Sequence, residues 1–155
     1  MKCAYKSDLF GVQVKVYNMD GEEFIKSVIK PDLLQQWNSA SEPADIRFHV
    51  VMNLPSLAVE FLKSFRGLLS DCEVLSEPRG SLMPVIYCYV FSNADDPVTD
   101  AAWQTAAALG ITSLEQLPDH DVRTVRSVAP GKDMLCVNVR LPWHVLHSAE
   151  HGMTA

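Results

Sequence analysis

Apolar and polar positions alternate at Val12-Gln13-Val14-Lys15-Val16-Tyr17, which predicts a β-strand with one apolar face. Asn18-Met19-Asp20-Gly21 then supplies turn chemistry that ends it. Residues 22–37 repeat with helical spacing, and Pro31 is expected to divide them into two short pieces. A polar linker, 38–45, leads to residues 46–52, which are nearly all apolar apart from Arg47 and His49. Such a run predicts a central parallel strand covered on both faces. Asn53-Leu54-Pro55 stops that strand, and Ser56 is placed to cap the next helix. In that helix Leu57, Phe61, Leu62, Phe65, Leu68 and Leu69 form a core-facing stripe.

Residues 71–84 are rich in breakers and read as a loop. Residues 85–91 form a second buried strand. Asp96-Pro97 opens an alanine-rich helix that runs to Leu109 and stops at Gly110. Thr112 and Glu115 have capping-box spacing for one more turn. Residues 122–128 and 134–141 are two strands joined by Ala129-Pro130-Gly131-Lys132-Asp133, most simply an antiparallel hairpin. The expected division is a folded body over 1–142 and a loose tail over 143–155.

Composition narrows the class. The chain has 155 residues, 48% of them hydrophobic and 21% charged, enough for one domain with a real core. No apolar stretch is long enough for a membrane span, and the first residues lack the apolar centre of a secretory signal. Cys3, Cys72, Cys88 and Cys136 are scattered with no C-x-x-C pair. They read as reduced thiols, so an intracellular protein is expected. A net charge of −6 argues against a broad grip on nucleic acid and leaves room only for a local basic face.

The order strand–helix–strand–helix–strand–helix–hairpin gives a mostly parallel α/β sheet with an antiparallel end. By fold analogy, that is the ending of class I methyltransferases that use S-adenosylmethionine (SAM). Ligands in such sheets bind beyond the carboxyl ends of the strands. Two segments sit at such ends. In Asn18-Met19-Asp20-Gly21 the carboxylate can accept from an exocyclic amine such as that of adenine, and the glycine lets a flat ring approach the backbone. The same residues are also ordinary turn sequence. In Asn53-Leu54-Pro55 the side-chain amide offers a donor and an acceptor together, matching the pairing edge of guanine, while proline fixes the backbone. A turn leading into a helix explains this string as well.

Longer strings carry a resemblance. His49-Val50-Val51-Met52-Asn53-Leu54-Pro55 followed by Val59-Glu60-Phe61-Leu62, then Tyr87-Cys88-Tyr89-Val90-Phe91-Ser92, then Val125-Arg126-Ser127-Val128-Ala129-Pro130-Gly131-Lys132-Asp133-Met134 closely resemble the eukaryotic and archaeal tRNA (guanine-37-N1)-methyltransferase family. Tyr17-Asn18-Met19-Asp20-Gly21-Glu22-Glu23-Phe24 is similar to the family's third SAM motif. The resemblance implies SAM as cofactor and tRNA as substrate. It matches Asp20 and Gly21 to the adenine-contacting pair, with Asn53 beside the cofactor. Asn53 and Pro55 match the catalytic pocket, and Arg126 and Lys132 a segment near bound tRNA. Solvated hairpin charges would explain the last two equally well.

The family's glycine-rich first motif has no counterpart, since no G-x-G occurs. The acidic residue that holds the SAM ribose and the carboxylate and arginine linked to proton removal are also absent. The expectation is therefore a partial class I fold with its first two strands missing, working as part of a longer enzyme in cytoplasm, nucleus or mitochondrion. The alternative is a catalytically inactive fragment or degenerate paralogue that only folds or binds a partner. The strand at Val12 must then pair with that at Ile46 or leave a gap, and an open sheet edge invites a homodimer. No metal site is expected: His144, His147 and His151 have helical spacing but no cysteine or carboxylate cluster beside them.

Overall fold

The β-branched runs form strands, in two separate sheets. The computed structural model describes residues 3–9, 12–39, 48–73, 82–117 and 119–148. β1 (Cys3–Leu9) and β2 (Val12–Tyr17) make an antiparallel two-stranded sheet of their own. The strand at Val12 therefore pairs with β1 instead of the strand after the linker, and the side of that later strand which it was expected to meet has no strand among the described residues. Val14 and Val16 stay 40% and 47% exposed, so alternation alone did not bring this strand's apolar face into the core.

Pro31 does not split the following helix. A continuous helical run comprises α1 (Gly21–Phe24), a π-helical turn over Ile25–Ile29 and α2 (Lys30–Ser39). The Lys30 N–H bonds to the carbonyl of Ile25, five residues back. This wider turn comes just before the proline ring that would crowd a regular α-turn, so the helix absorbs Pro31 instead of breaking.

The main sheet has the order β3-β4-β6-β5, with β3 (His49–Met52), β4 (Val85–Ser92), β5 (Asp121–Ala129) and β6 (Lys132–Arg140). β3 pairs with β4 in parallel, while β6 is antiparallel to both β4 and β5. The expectation of a mostly parallel sheet is thus corrected to a mixed α/β sheet. β3, β4 and β5 share one direction, but β6 inserts between β4 and β5 and turns two of the three ladders antiparallel. The β5–β6 hairpin is as expected but tighter. Ala129 faces Lys132 across Pro130-Gly131, and Gly131 takes the positive φ of 68° that such a turn requires.

Over its described part, 48–52, the run that contains β3 is neither central nor covered on both faces, while residues 46 and 47 of the expected strand lie outside the described residues. Its second side carries no strand among the described residues, and Val51 is 65% exposed. A short apolar run reports a liking for burial, not which neighbours are there to provide it.

The core lies on one face of this sheet. α3 (Ala58–Leu62), the 3₁₀ turn Lys63–Phe65 and α4 (Pro97–Ala108) cover Ile86, Cys88 and Val90 of β4 and Leu135, Val137 and Val139 of β6. Leu62, Phe65, Leu69, Ile86 and Leu135 are fully buried, each worth about 1.5–3 kcal/mol of apolar transfer. The stripe is therefore core as expected, except that Leu57 remains 47% exposed. Tyr87, Tyr89 and Phe91 point to the opposite face, where no described helix lies over them.

Helix ends follow local chemistry unevenly. Asp96 caps α4 by accepting from the Thr99 N–H at 3.2 Å, Pro97 occupies the first turn, and Gly110 ends it at φ 76°. Ser56 does not cap α3. Leu57 holds that position, and the Leu54 carbonyl accepts from both Leu57 and Ala58. Ser113, not Thr112, caps the 3₁₀ turn Leu114–Gln116.

The expected loose tail is corrected at its start. α5 (Trp143–His147) buries Val145 and Leu146, whose carbonyls accept from Gly67 and Leu69 at 2.8 Å. Trp143 sits 6.0 Å from Trp37, centroid to centroid, tying α5 to α2. His147 stacks on Trp143, whereas His151 lies outside the described residues. Cys72, Cys88 and Cys136 are free thiols. No described helix is long and apolar enough to cross a membrane.

Candidate functional site

β3 ends at Met52, and after Asn53 the Leu54-Pro55 turn swings the chain into α3. α1 starts directly after the turn that closes β2. These elements, with the π-helical turn, enclose a cavity of about 240 Å³ lined by Gly21, Phe24, Ile25, Ile29, Val50, Val51, Met52, Asn53, Leu54, Ala58 and Phe61. Gly21 and Asn53 therefore share one hollow although they come from opposite sides of the linker.

Gly21 earns its place sterically. A Cβ there would lie 3.0 Å from Cε2 of Phe61, tight enough that the ring would have to give way by a few tenths of an ångström, so the bare backbone and the ring together form one wall. Phe24 forms another and is held edge-on by Tyr17 at 5.7 Å. The lining is flat and apolar, with the exposed Asn53 amide as its polar side chain.

Asp20 and Pro55 do not line the cavity. Asp20 caps α1, its Oδ1 accepting from the Glu22 N–H at 2.8 Å. Its second oxygen can still accept from a ligand amine. Pro55 is half-buried inside the turn behind Asn53, where it limits the backbone rather than touching the hollow. Arg126 and Lys132 are on the β5–β6 hairpin, in another part of the fold. Lys132 holds its ammonium 4.4 Å above the Phe91 ring. Phe24 and Phe61 each stand in a string that resembles the family, but the sequence assigns neither of them to the site. Their role as walls carries no periodic signal, because it depends on α1 and α3 meeting at β3.

The volume decides how much of SAM this cavity fits. Pockets that enclose a whole cofactor are usually about 300–1,000 Å³, so 240 Å³ suits its adenine end. Phe24, Phe61 and the bare backbone at Gly21 fit a flat ring. Among the described residues no titratable group lines the hollow, so these walls offer no base for a guanine proton.

No family model matches the chain. Among curated proteins, the tRNA (guanine(37)-N(1))-methyltransferase of Xenopus tropicalis is 42% identical over 135 residues, covering 86% of this chain and 26% of that protein. Those of Mus musculus and Homo sapiens are 41% and 40% identical, covering 87% of this chain and 25% of each. This chain thus spans about a quarter of the length of the curated relatives it matches. Wild-type Trm5b from Pyrococcus abyssi aligns over 59% of this chain and 24% of its own at 21% identity, with a TM-score of 0.35, too slight a likeness to bear on the fold.

Proposed function

Since this chain is a homologue of one quarter of the tRNA (guanine(37)-N(1))-methyltransferases, we propose that it serves as the C-terminal part of such an enzyme's catalytic domain. In that role it is a partial class I fold whose first two strands come from elsewhere. It acts wherever tRNA is met, in cytoplasm, nucleus or mitochondrion. The observation that carries the reading is the shared hollow: Gly21 and Asn53, each within a string that resembles the family, open onto one cavity.

The division of labour follows from the lining. Gly21, Phe24 and Phe61 would hold the adenine of SAM, with the Asp20 carboxylate as acceptor for its amine. When bound, the cofactor supplies an electrophilic methyl group. Asn53 then orients the guanine through its paired donor and acceptor, and Pro55 keeps Asn53 aimed. Orientation supplies most of the rate in such a displacement. The base that takes the guanine N1 proton is assigned outside the cavity.

Two experiments test this. Titrating SAM and 5′-methylthioadenosine into the purified chain should give similar binding constants, since both present adenine, and Gly21→Leu should abolish both. Absence of heat at millimolar ligand favours the second reading, a fragment or paralogue that folds without catalysing. The small cavity and the missing glycine-rich motif are what favour that reading. Exchanging this chain for the matching quarter of the mouse relative should preserve methylation of guanine 37. A folded chimera without turnover overturns the proposal.

A further inference from the structure

The sheet face away from the core has the make-up of a covered surface. Strand register puts Val51 of β3 beside Tyr87 of β4, and on β6 it puts Cys136 beside Tyr89 and Met134 beside Phe91. On β5 it puts Arg123 beside Cys136 and Arg126 beside Met134. Paired residues share a face, so an aromatic row runs along β4 between Val51 and the arginines of β5. Phe91 is already capped, with the Lys132 ammonium 4.4 Å over its ring. His49 stacks on Tyr87 at 5.7 Å, its Nδ1 3.2 Å from the hydroxyl. Tyr87, Tyr89, Met134 and Cys136 stay half-buried and Val51 65% exposed, one patch that reaches from mid-sheet to the outer edge of β3. Tyrosine, methionine and arginine are residue types that protein interfaces favour.

The topology points to a helix as the cover. β3 and β4 are a parallel pair, and such pairs in α/β proteins are buried on both faces by helices. Among the described residues, α3 and α4 cover only the core face of β4. The crossover from β3 to β4 runs through α3 on that core face. Crossovers between parallel strands keep one hand. A helix that leads outward from a strand docked beyond β3 therefore has to cross the opposite face, over the patch. The curated relatives have chain to provide both pieces, since about three-quarters of their length lies outside the part that this chain matches.

We propose that this patch seats an amphipathic α-helix from the remaining three-quarters of the methyltransferase, laid along β4 with its apolar stripe on Tyr87, Tyr89 and Cys136. This rests on the reading that the chain forms one quarter of such an enzyme. The segment that adds a strand beside Val51 also supplies the helix, so the edge and the face are filled together. A second copy of this chain fits less well, because a twofold contact would press together two faces that carry the same cations, Arg123, Arg126 and Lys132. The seat is separate from the SAM cavity, to which Val50 and Met52 contribute from the core side of β3.

Cys136 is a reporter already in place, a free thiol beside Tyr89 in the patch. The test is brief alkylation read by mass spectrometry, on the isolated chain and on the chimera that carries it in place of the matching quarter of the mouse relative. Cys136 should react in the isolated chain. In the chimera its rate should fall by about tenfold or more, because labelling then waits for the helix to lift. Cys72, packed on the core side, is the internal reference and should change little. Tyr89→Glu in the chimera presses a carboxylate into the contact and should restore labelling, whereas Tyr89→Phe should not. If the chimera does not fold, a cysteine in the intact mouse relative, at the position aligned with Tyr89, gives the same reading against the unfolded protein. Three results would each overturn the seat. One is equal labelling of Cys136 in chain and chimera. Another is a Cys136 already shielded in the isolated chain, where a dimer dissolved by Tyr89→Glu would make a second copy the occupant. The third is shielding in the chimera that comes only with added tRNA. Methylation is not the readout, so the two proposals fail separately: shielding without turnover keeps the seat, and turnover without shielding removes it.

Discussion

Asn53 illustrates how one residue can be chosen by sequence but placed by its surroundings. Its amide lies at the rim of the hollow, and the turn through Leu54 and Pro55 fixes its direction. In the chimera with the mouse relative, Asn53→Ala should lower kcat by about 10²–10³, the loss seen when one oriented polar group is removed. Binding of SAM should change little, and wild-type turnover would remove Asn53 from the proposed role. Cys88 shows the opposite case, a residue silenced by place. Burial pushes its thiol up to about 12, with the nearby Cys136 adding to the shift. The thiolate is the reactive form, so at pH 8 an alkylating reagent should modify the half-buried Cys72 well before Cys88 in the native chain. Mass spectrometry of briefly treated protein reads this order directly, and unfolding should equalise the two.

Among the elements, α4 is the one whose ends were written most fully in advance: Asp96, Pro97 and Gly110 all do what their chemistry predicts. The Thr99 hydroxyl and backbone N–H both hold the Asp96 carboxyl below the usual carboxylate range. A carboxylate with a lowered folded pKa stabilises fully above its unfolded value, about 3.9, and loses that contribution as pH falls through the folded value. Asp96→Asn should therefore reduce stability at pH 7, with the difference from wild type closing below about pH 4. Thermal unfolding followed across pH checks it. The α1–α2 run was legible as helix but not as continuous helix. Pro31 alone argues for a break, and only the π-helical turn preceding it shows how the chain avoids one. β1 and α5 carried weaker signals. Cys3–Leu9 lacks clean alternation, and Trp143–His147 is too short to display periodicity. Each is held by neighbours: β1 by β2, and α5 by the hydrogen bonds from Gly67 and Leu69.

For the molecule as a whole, the outer edge of β3 is the feature with the widest consequences. Among the described residues no strand lies beyond β3, and an apolar edge strand is a template for pairing with another chain. We therefore propose homodimerisation through this edge in the isolated chain, in keeping with Val51 at 65% exposure. Sedimentation should find a concentration-dependent dimer, and Val51→Lys, a charge of the kind that natural edges use, should shift it to monomer. A monomer at all concentrations would end that idea.

Local chemistry in the sequence determined the strand runs at β2, β4, β5 and β6, the limits of α4, the tight hairpin and the two strings that hold Gly21 and Asn53. These depend on residues close in the chain, where propensity, capping and turn formation act. Tertiary structure alone decided that β6 lies between β4 and β5, that β3 is an edge, and that Phe24 and Phe61 face the same hollow. It also decided that the aromatic row and the arginines share a face. Such features depend on which distant elements become neighbours, and periodicity within one segment holds no record of its partners.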